Sequence, residues 1–222
     1  MNIEEQQQSV DLVEKHRPQQ KRAIRTYEGI LDAAAELLVE LGLERISTNL
    51  IAERAGITVP ALYRYFPNKY SVLNAMGGRL LELQNQAFVE WNDQNVVGVE
   101  PQSIVDNIYD VLAGCYEVTV NMTGGVQIMH ALQAIAPLQQ VRQDNHWLVA
   151  ETFAKVWAAQ FNVAMDANSV QRARVAIELG FATVQMAIED DRSDAELVLR
   201  EGASALSLYL KGALERKGLN LT

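Results

Sequence analysis

Between Gly56 and Leu73 the chain reads GITVPALYRYFPNKYSVL. Thr58, Tyr63, Arg64, Tyr65 and Lys69 gather hydroxyls, a guanidinium and an ammonium into this one short segment, all groups that bond phosphate oxygens or base edges. The rest of the chain offers little for covalent chemistry. Cys115, His130 and His146 are separated by 15 and 16 residues, which fits no short metal signature, so they are expected as packing or surface residues. Asp106 and Asp110 share a helix face, but carboxylates at that spacing are ordinarily solvated rather than catalytic. Gly-rich phosphate loops, Ser-His-Asp arrangements and nucleophile elbows are lacking. The expected chemistry is recognition, with no enzyme activity, no cofactor and no metal.

The elements that must position these groups are helical. Apolar Ile30, Ala34, Leu37, Leu38 and Leu41 recur at three- and four-residue steps, which predicts a helix over Thr26–Leu41 ended by Gly42. Ser47 is placed to cap a second, short helix that buries Ile51, Ala52 and Ala55, and Gly56 allows a tight turn. Thr58 caps a third helix, Val59–Phe66, with Pro60 in its first turn and Leu62, Tyr65 and Phe66 turned inward; Pro67 stops it. Asn68 then caps a long fourth helix reaching about Trp91. Two short helices joined at a glycine form a helix-turn-helix, whose second helix lies in a DNA major groove.

Charge distribution agrees. The net charge is −9, yet residues 15–79 hold ten Lys and Arg against six acids, whereas residues 80–222 hold nine against eighteen. The basic run Lys15–Arg25 suits an arm tracking phosphates, although a solvated tail has the same composition. The first fourteen residues carry four acids, no base and no apolar run, so no signal peptide is expected, nor is a membrane span, and the expected location is cytoplasmic.

From Ile30 to Met76, and especially in ISTNLIAERAGITVPALYRYFPNKYSVL, the sequence resembles the DNA-binding domain of the TetR family of transcriptional regulators. The resemblance implies an all-α protein: a flexible arm over residues 1–23, a DNA-binding domain over 24–84 with its motif at 47–66, and a C-terminal effector-binding and dimerisation domain over 85–222. It further implies that Ser47, Thr48 and Asn49 touch phosphate or a base, that Val59, Pro60 and Ala61 meet bases from the helix capped by Thr58, and that Tyr63 and Lys69 grip phosphates. Arg64 or Tyr65 would do either. Leu50 stands where relatives usually carry a polar residue, and Val59 with Ala61 makes an apolar reading surface suited to thymine methyls.

Beyond residues 92–101 the pattern changes, and further helices are expected at about 102–121, 125–135, 137–161, 167–189 and 194–216. Tyr109, Tyr116, Met122, Gln127, Trp147 and Trp157 are the expected lining of a cavity for a mostly apolar small molecule, although a packed core would use the same residue types. Small and apolar stripes run along the last two helices: Ala173, Ile177, Gly180, Phe181, Val184 and Ile188, then Leu199, Gly202, Ala203, Leu206, Leu210 and Ala213. They suit either a homodimer interface or packing within one chain. The leading expectation is a repressor on a palindromic double-stranded DNA operator, released by an inducer. A helical sensor or scaffold that does not bind DNA, and a helical enzyme, are the alternatives.

Overall fold

A computed structural model describes Leu12, Glu14 and residues 18–166, 168–190 and 192–219. Much of the expected arm, including Lys15 and Arg17, lies outside the described residues. The described chain is helical: α1 (Lys21–Arg45), α2 (Thr48–Arg54), α3 (Val59–Tyr63), α4 (Lys69–Asn95), α5 (Pro101–Asp106), α6 (Ile108–Asn121), α7 (Gly125–Ala134), α8 (Ala136–Gln160), α9 (Ser169–Glu189) and α10 (Ala195–Glu215). Among the described residues there is no strand, and no helix is long and apolar enough to cross a membrane.

Contacts divide the chain into two units. One comprises the residues up to Arg79 with Thr123–Val141, the other Leu80–Met122 with Arg142 onward. The segment holding α7 therefore groups with the N-terminal helices, whereas the sequence pattern placed everything after residue 84 together. Glycine explains this grouping. Gly124, at φ +73°, lies against Ala35 of α1, where a Cβ would stand 3.2 Å from the Ala35 carbonyl oxygen, and Gly77 of α4 accepts Leu132 of α7 at similarly close range.

Four boundaries differ from the sequence pattern, the first being α3, which ends at Tyr63 with Arg64 as its cap rather than at Phe66. Helix α1 starts at Lys21, so the end of the basic segment is helical, and Gly42 interrupts it at φ +75°, ψ 172°. Helix α4 runs four residues past Trp91, to Asn95, where Asn95 Nδ2 bonds the Trp91 carbonyl. The expected helix over 102–121 is two helices broken at Asn107 (φ −112°, ψ 20°). There the Asn107 side chain takes the Ser103 carbonyl at 2.8 Å, and its own carbonyl accepts the Trp91 indole N–H at 2.7 Å. An asparagine that bonds backbone locally competes with the helix, and the buried indole finds its partner through that break.

In the first unit Phe66 is fully buried and stacks on Tyr27 with ring centroids 5.1 Å apart, while Ile30, Leu38, Ile51, Ala52 and Leu62 close the core around it. The core of the second unit joins Trp91, Ile104, Leu112, Phe153, Val184, Leu199, Leu206 and Leu210. Ala173, Gly180, Val184, Leu199, Ala203, Leu206 and Leu210, from the stripes singled out in the sequence, are all buried inside this single protomer. The opposite faces remain exposed, with Val175, Leu179 and Met186 on α9 and Leu197 and Leu208 on α10.

Candidate functional site

The N-terminal site is built by caps. Ser47 holds φ −141° and its hydroxyl accepts the Leu50 N–H at 3.3 Å, which starts α2. At its other end Gly56 takes φ +64°, the Gly56 N–H bonds the Glu53 carbonyl and the Ile57 N–H bonds the Ala52 carbonyl, both close to 3 Å. This paired closure needs a left-handed residue, which glycine adopts without a Cβ penalty. Thr58 then accepts the Ala61 N–H at 3.4 Å and Pro60 sits in the first turn, so α3 starts sharply after the turn. Asn68 and Ser71 cap α4 reciprocally: Ser71 N–H donates to Asn68 Oδ1 at 2.9 Å, and Asn68 N–H donates to Ser71 Oγ at 3.3 Å.

The caps sort the motif's side chains. Leu62 and Phe66 are completely buried, and Tyr65 packs edge-on against Tyr27 at 6.3 Å. Asn49, Thr58, Pro60, Tyr63 and Arg64 are exposed, while Ser47, Thr48, Val59, Ala61 and Lys69 are half-buried. The Tyr63 and Thr48 hydroxyls share a hydrogen bond of 3.1 Å, tying the end of α3 to the start of α2. Lys69 Nζ donates to the Ile46 carbonyl at 3.4 Å and lies 5.5 Å from the Tyr70 ring, which brings the ammonium to the residue preceding the Ser47 cap. Arg54 is occupied otherwise: it forks onto Glu40 at 2.6 and 2.8 Å and reaches Glu36 at 3.0 Å, fastening α2 to α1. These hydrogen bonds donated to Glu40 and Glu36 hold the Arg54 guanidinium firmly protonated, and the Arg54 bond lowers the Glu40 carboxyl.

The second unit contains a cavity of about 110 Å³. Gln84, Asn85, Phe88 and Trp91 of α4 form one wall at steps of one, three and three residues, and α6, α8, α9 and α10 supply Leu112, Cys115, His146, Phe153, Gly180, Phe181 and Leu206 among others. Its amides are largely satisfied. Asn85 and Asn145 exchange hydrogen bonds at 2.8 and 3.2 Å, and Gln84 donates to Thr119 at 2.9 Å. Burial pushes the Cys115 thiol up to about 12, so it stays protonated and unreactive at neutral pH. His146, only 4% exposed, meets Glu178 Oε1 through Nδ1 at 3.2 Å and Phe181 edge-on at 5.0 Å. Glu178 also binds Arg142 at 3.2 Å and pairs with Arg174. Burial acts to raise the Glu178 carboxyl, but Arg174, then His146 and Arg142, outweigh it and hold it down.

None of the six residues expected to line a cavity lines this one. Tyr109 and Tyr116 pack on the surrounding core, the former beneath the Arg200 guanidinium at 4.7 Å; Met122 follows α6; Gln127 belongs to the other unit. Trp147 is 41% exposed with Arg174 5.7 Å from its ring. Trp157 lines a separate space of about 70 Å³, and its indole N–H is buried without a hydrogen-bond partner. The sequence pattern offers His146 only as a packing or surface residue. The three- and four-residue spacing of Gln84, Asn85, Phe88 and Trp91 along the expected fourth helix is the local signal that could have placed them on one wall. Among the described residues no group of three or more His, Cys, Asp or Glu stands where it could hold a metal.

The capped pair of short helices, with a helical unit enclosing an apolar cavity beside a buried histidine, defines a helix-turn-helix regulator class. The description "Bacterial regulatory proteins, tetR family" matches residues 30–76, and "Tetracyclin repressor-like, C-terminal domain" matches residues 103–213, half of the 222-residue chain. The chain belongs to the TetR family of transcriptional regulators. It is 38% identical over 58 residues to the class C tetracycline repressor of Escherichia coli, 26% of each chain, and so spans about a quarter of the tetracycline repressors it matches. An uncharacterised HTH-type transcriptional regulator of Mycobacterium tuberculosis is 24% identical over 184 residues, covering 82% of this chain and 92% of that protein. The solved structure of a TetR-family regulator from Streptomyces coelicolor has the same fold, with a TM-score of 0.61 and 24% identity over 86% of this chain and 99% of that one.

Proposed function

We propose that the protein is a transcriptional repressor that binds a palindromic DNA operator as a homodimer in the cytoplasm and is released by a small, mostly apolar molecule in its second unit. The role is binding, without catalysis. The observation that carries it is the Thr48–Tyr63 hydroxyl pair, with Lys69 bonded to the Ile46 carbonyl two residues before Thr48 and with Asn49, Pro60 and Arg64 exposed. In this reading Thr48, Tyr63 and Lys69 hold phosphates, α3 enters the major groove, and Val59, Pro60 and Ala61 meet bases chiefly by apolar contact. Ser47 and Thr58 act mainly as caps that aim their neighbours, and Tyr65 serves the core.

The exposed stripes on α9 and α10 supply the two-fold contact, since the inner stripes are already spent within the protomer. Helix α4 supports coupling, because Lys69 begins it and Gln84, Asn85, Phe88 and Trp91 line the cavity from its later turns. An effector releases DNA only by preferring the conformation that binds DNA badly, and tenfold release takes about 1.4 kcal/mol of preference. The test is selection of duplex fragments by the purified protein, followed by titration of the selected site at several salt concentrations. A palindromic half-site is expected, with binding abolished in a Tyr63→Ala/Lys69→Ala double variant. Equal binding by that variant and the wild type would overturn the reading.

A further inference from the structure

His146 is the feature of the second unit that packing alone does not use up. Its ring lines the cavity, while its Nδ1 is engaged by Glu178, which is not part of the lining. The Glu178 carboxylate is an acceptor only, so Nδ1 carries the proton, and a neutral imidazole with a protonated Nδ1 presents Nε2 as a bare acceptor. Nε2 is then the ring's remaining polar atom for the cavity. The carboxylate that sets this tautomer is itself held by Arg142 and Arg174. Burial keeps the imidazole neutral, holding its pKa down to about 4.

The rest of the cavity defines what accompanies a donor. Phe88, Trp91, Phe153 and Phe181 line it, and among the described residues none of its lining side chains is formally charged. Phe88 and Phe153 meet edge to face at 4.9 Å, an arrangement into which a further ring packs favourably. Its volume of about 110 Å³ is below the roughly 150 Å³ of an apolar cavity that admits benzene, so one ring enters with modest expansion and a second ring is excluded. A phenolic hydroxyl is more acidic than an aliphatic one and so is the stronger donor to a bare imidazole nitrogen, and its ring suits the apolar aromatic wall.

On these grounds, and resting on the reading of this unit as the effector-binding one, we infer that the cavity takes a neutral molecule of one aromatic ring with a single hydroxyl, which donates to His146 Nε2. Phenol is the simplest probe, and toluene, its near isostere without the donor, is the control. Calorimetric titration of the full-length protein should show phenol binding roughly tenfold more tightly than toluene, the loss expected when a buried acceptor goes unpaired. In His146→Phe the two should bind alike. Imidazole ¹⁵N spectra of the wild type need no variant: they should show a protonated Nδ1 and an unprotonated Nε2, the latter shifting when phenol is added. Toluene binding as well as phenol, benzoate binding better than phenol, retention of the preference in His146→Phe, or a proton on Nε2 in the free protein would each overturn the inference. Operator titrations with and without phenol separate the two claims. Phenol bound in the expected pattern with operator affinity unchanged upholds the site and sinks only the inducer reading; an intact operator complex with no phenol preference sinks the site alone.

Discussion

Burial of His146 makes acid the perturbation of choice for the second unit. The groups facing its ring are Glu178, which favours the protonated form, and Arg142 and Arg174, which oppose it; burial is the largest influence, and the pKa falls from 6.5 to about 4. Because the folded value is the lower one, the unfolded chain holds the extra proton between these two pH values. The stabilisation is therefore complete above pH 6.5 and is lost as pH falls toward 4. At about 1.4 kcal/mol per pKa unit the loss is on the order of 3 kcal/mol, a large part of the roughly 5–15 kcal/mol that holds a domain folded. Urea unfolding of the wild type and of His146→Gln, followed by circular dichroism between pH 7.5 and 4.5, isolates the effect. Carboxylates held low, such as Asp166, Asp190 and Glu40, lose their contribution as pH falls further, in both proteins alike. Wild-type stability should fall by roughly one proton's slope, about 1.4 kcal/mol per pH unit near pH 5, while the variant stays nearly flat. Parallel curves would show that burial does not keep this histidine neutral, and a wild type that grows more stable toward pH 5 would reverse the sign altogether.

Lys69→Ala should weaken binding to all duplex sequences similarly and flatten the dependence of log K on log salt by about one unit, measured by fluorescence anisotropy; a change in sequence preference instead would place Lys69 on a base. Leu208 is 73% exposed and Ala203 only 6%, so Leu208→Arg should give a folded monomer in sedimentation, whereas Ala203→Arg should unfold the second unit by burying an unpaired charge. A dimer that survives Leu208→Arg would move the two-fold contact elsewhere. Gly202→Ala should destabilise the protein by about 1–3 kcal/mol in chemical unfolding, since its new methyl would lie 2.2 Å from Thr183 Cγ2; an unchanged midpoint would mean that α9 and α10 separate freely.

The helix-turn-helix was legible because each of its determinants acts over a few residues. Ser47 and Thr58 cap the helices that follow them, Gly56 takes the left-handed turn, Pro60 sits in a first turn, and Asn68 caps α4, all as their residue types dictate. Helical periodicity likewise located α7 to α10 within a few residues. It failed at Asn107, where the helix breaks so that a carbonyl can receive the Trp91 indole from sixteen residues away, a partner invisible to any local window.

The cavity belongs to the second kind of information. Hydropathy says that Tyr116, Trp157, Phe153 and Phe181 avoid water, but it does not say which of them border a void and which fill one. That choice depends on how α4, α6, α8, α9 and α10 are rotated about their axes, and it left Trp157 in a neighbouring space while Phe153 and Phe181 took the cavity wall. The same rotation turned Gly180, Ala203 and Leu206 toward the protomer's own core and left Met186 and Leu208 outside. His146 acquires its fixed tautomer only because Glu178, thirty-two residues further along the chain, folds back against it. Sequence by itself thus determined most of the helices, their caps and the motif side chains left exposed beside them, since those follow from local backbone and side-chain chemistry. Tertiary structure alone decided the cavity, its acceptor and the faces left open, because these are set by side chains distant in sequence that meet only when whole helices pack.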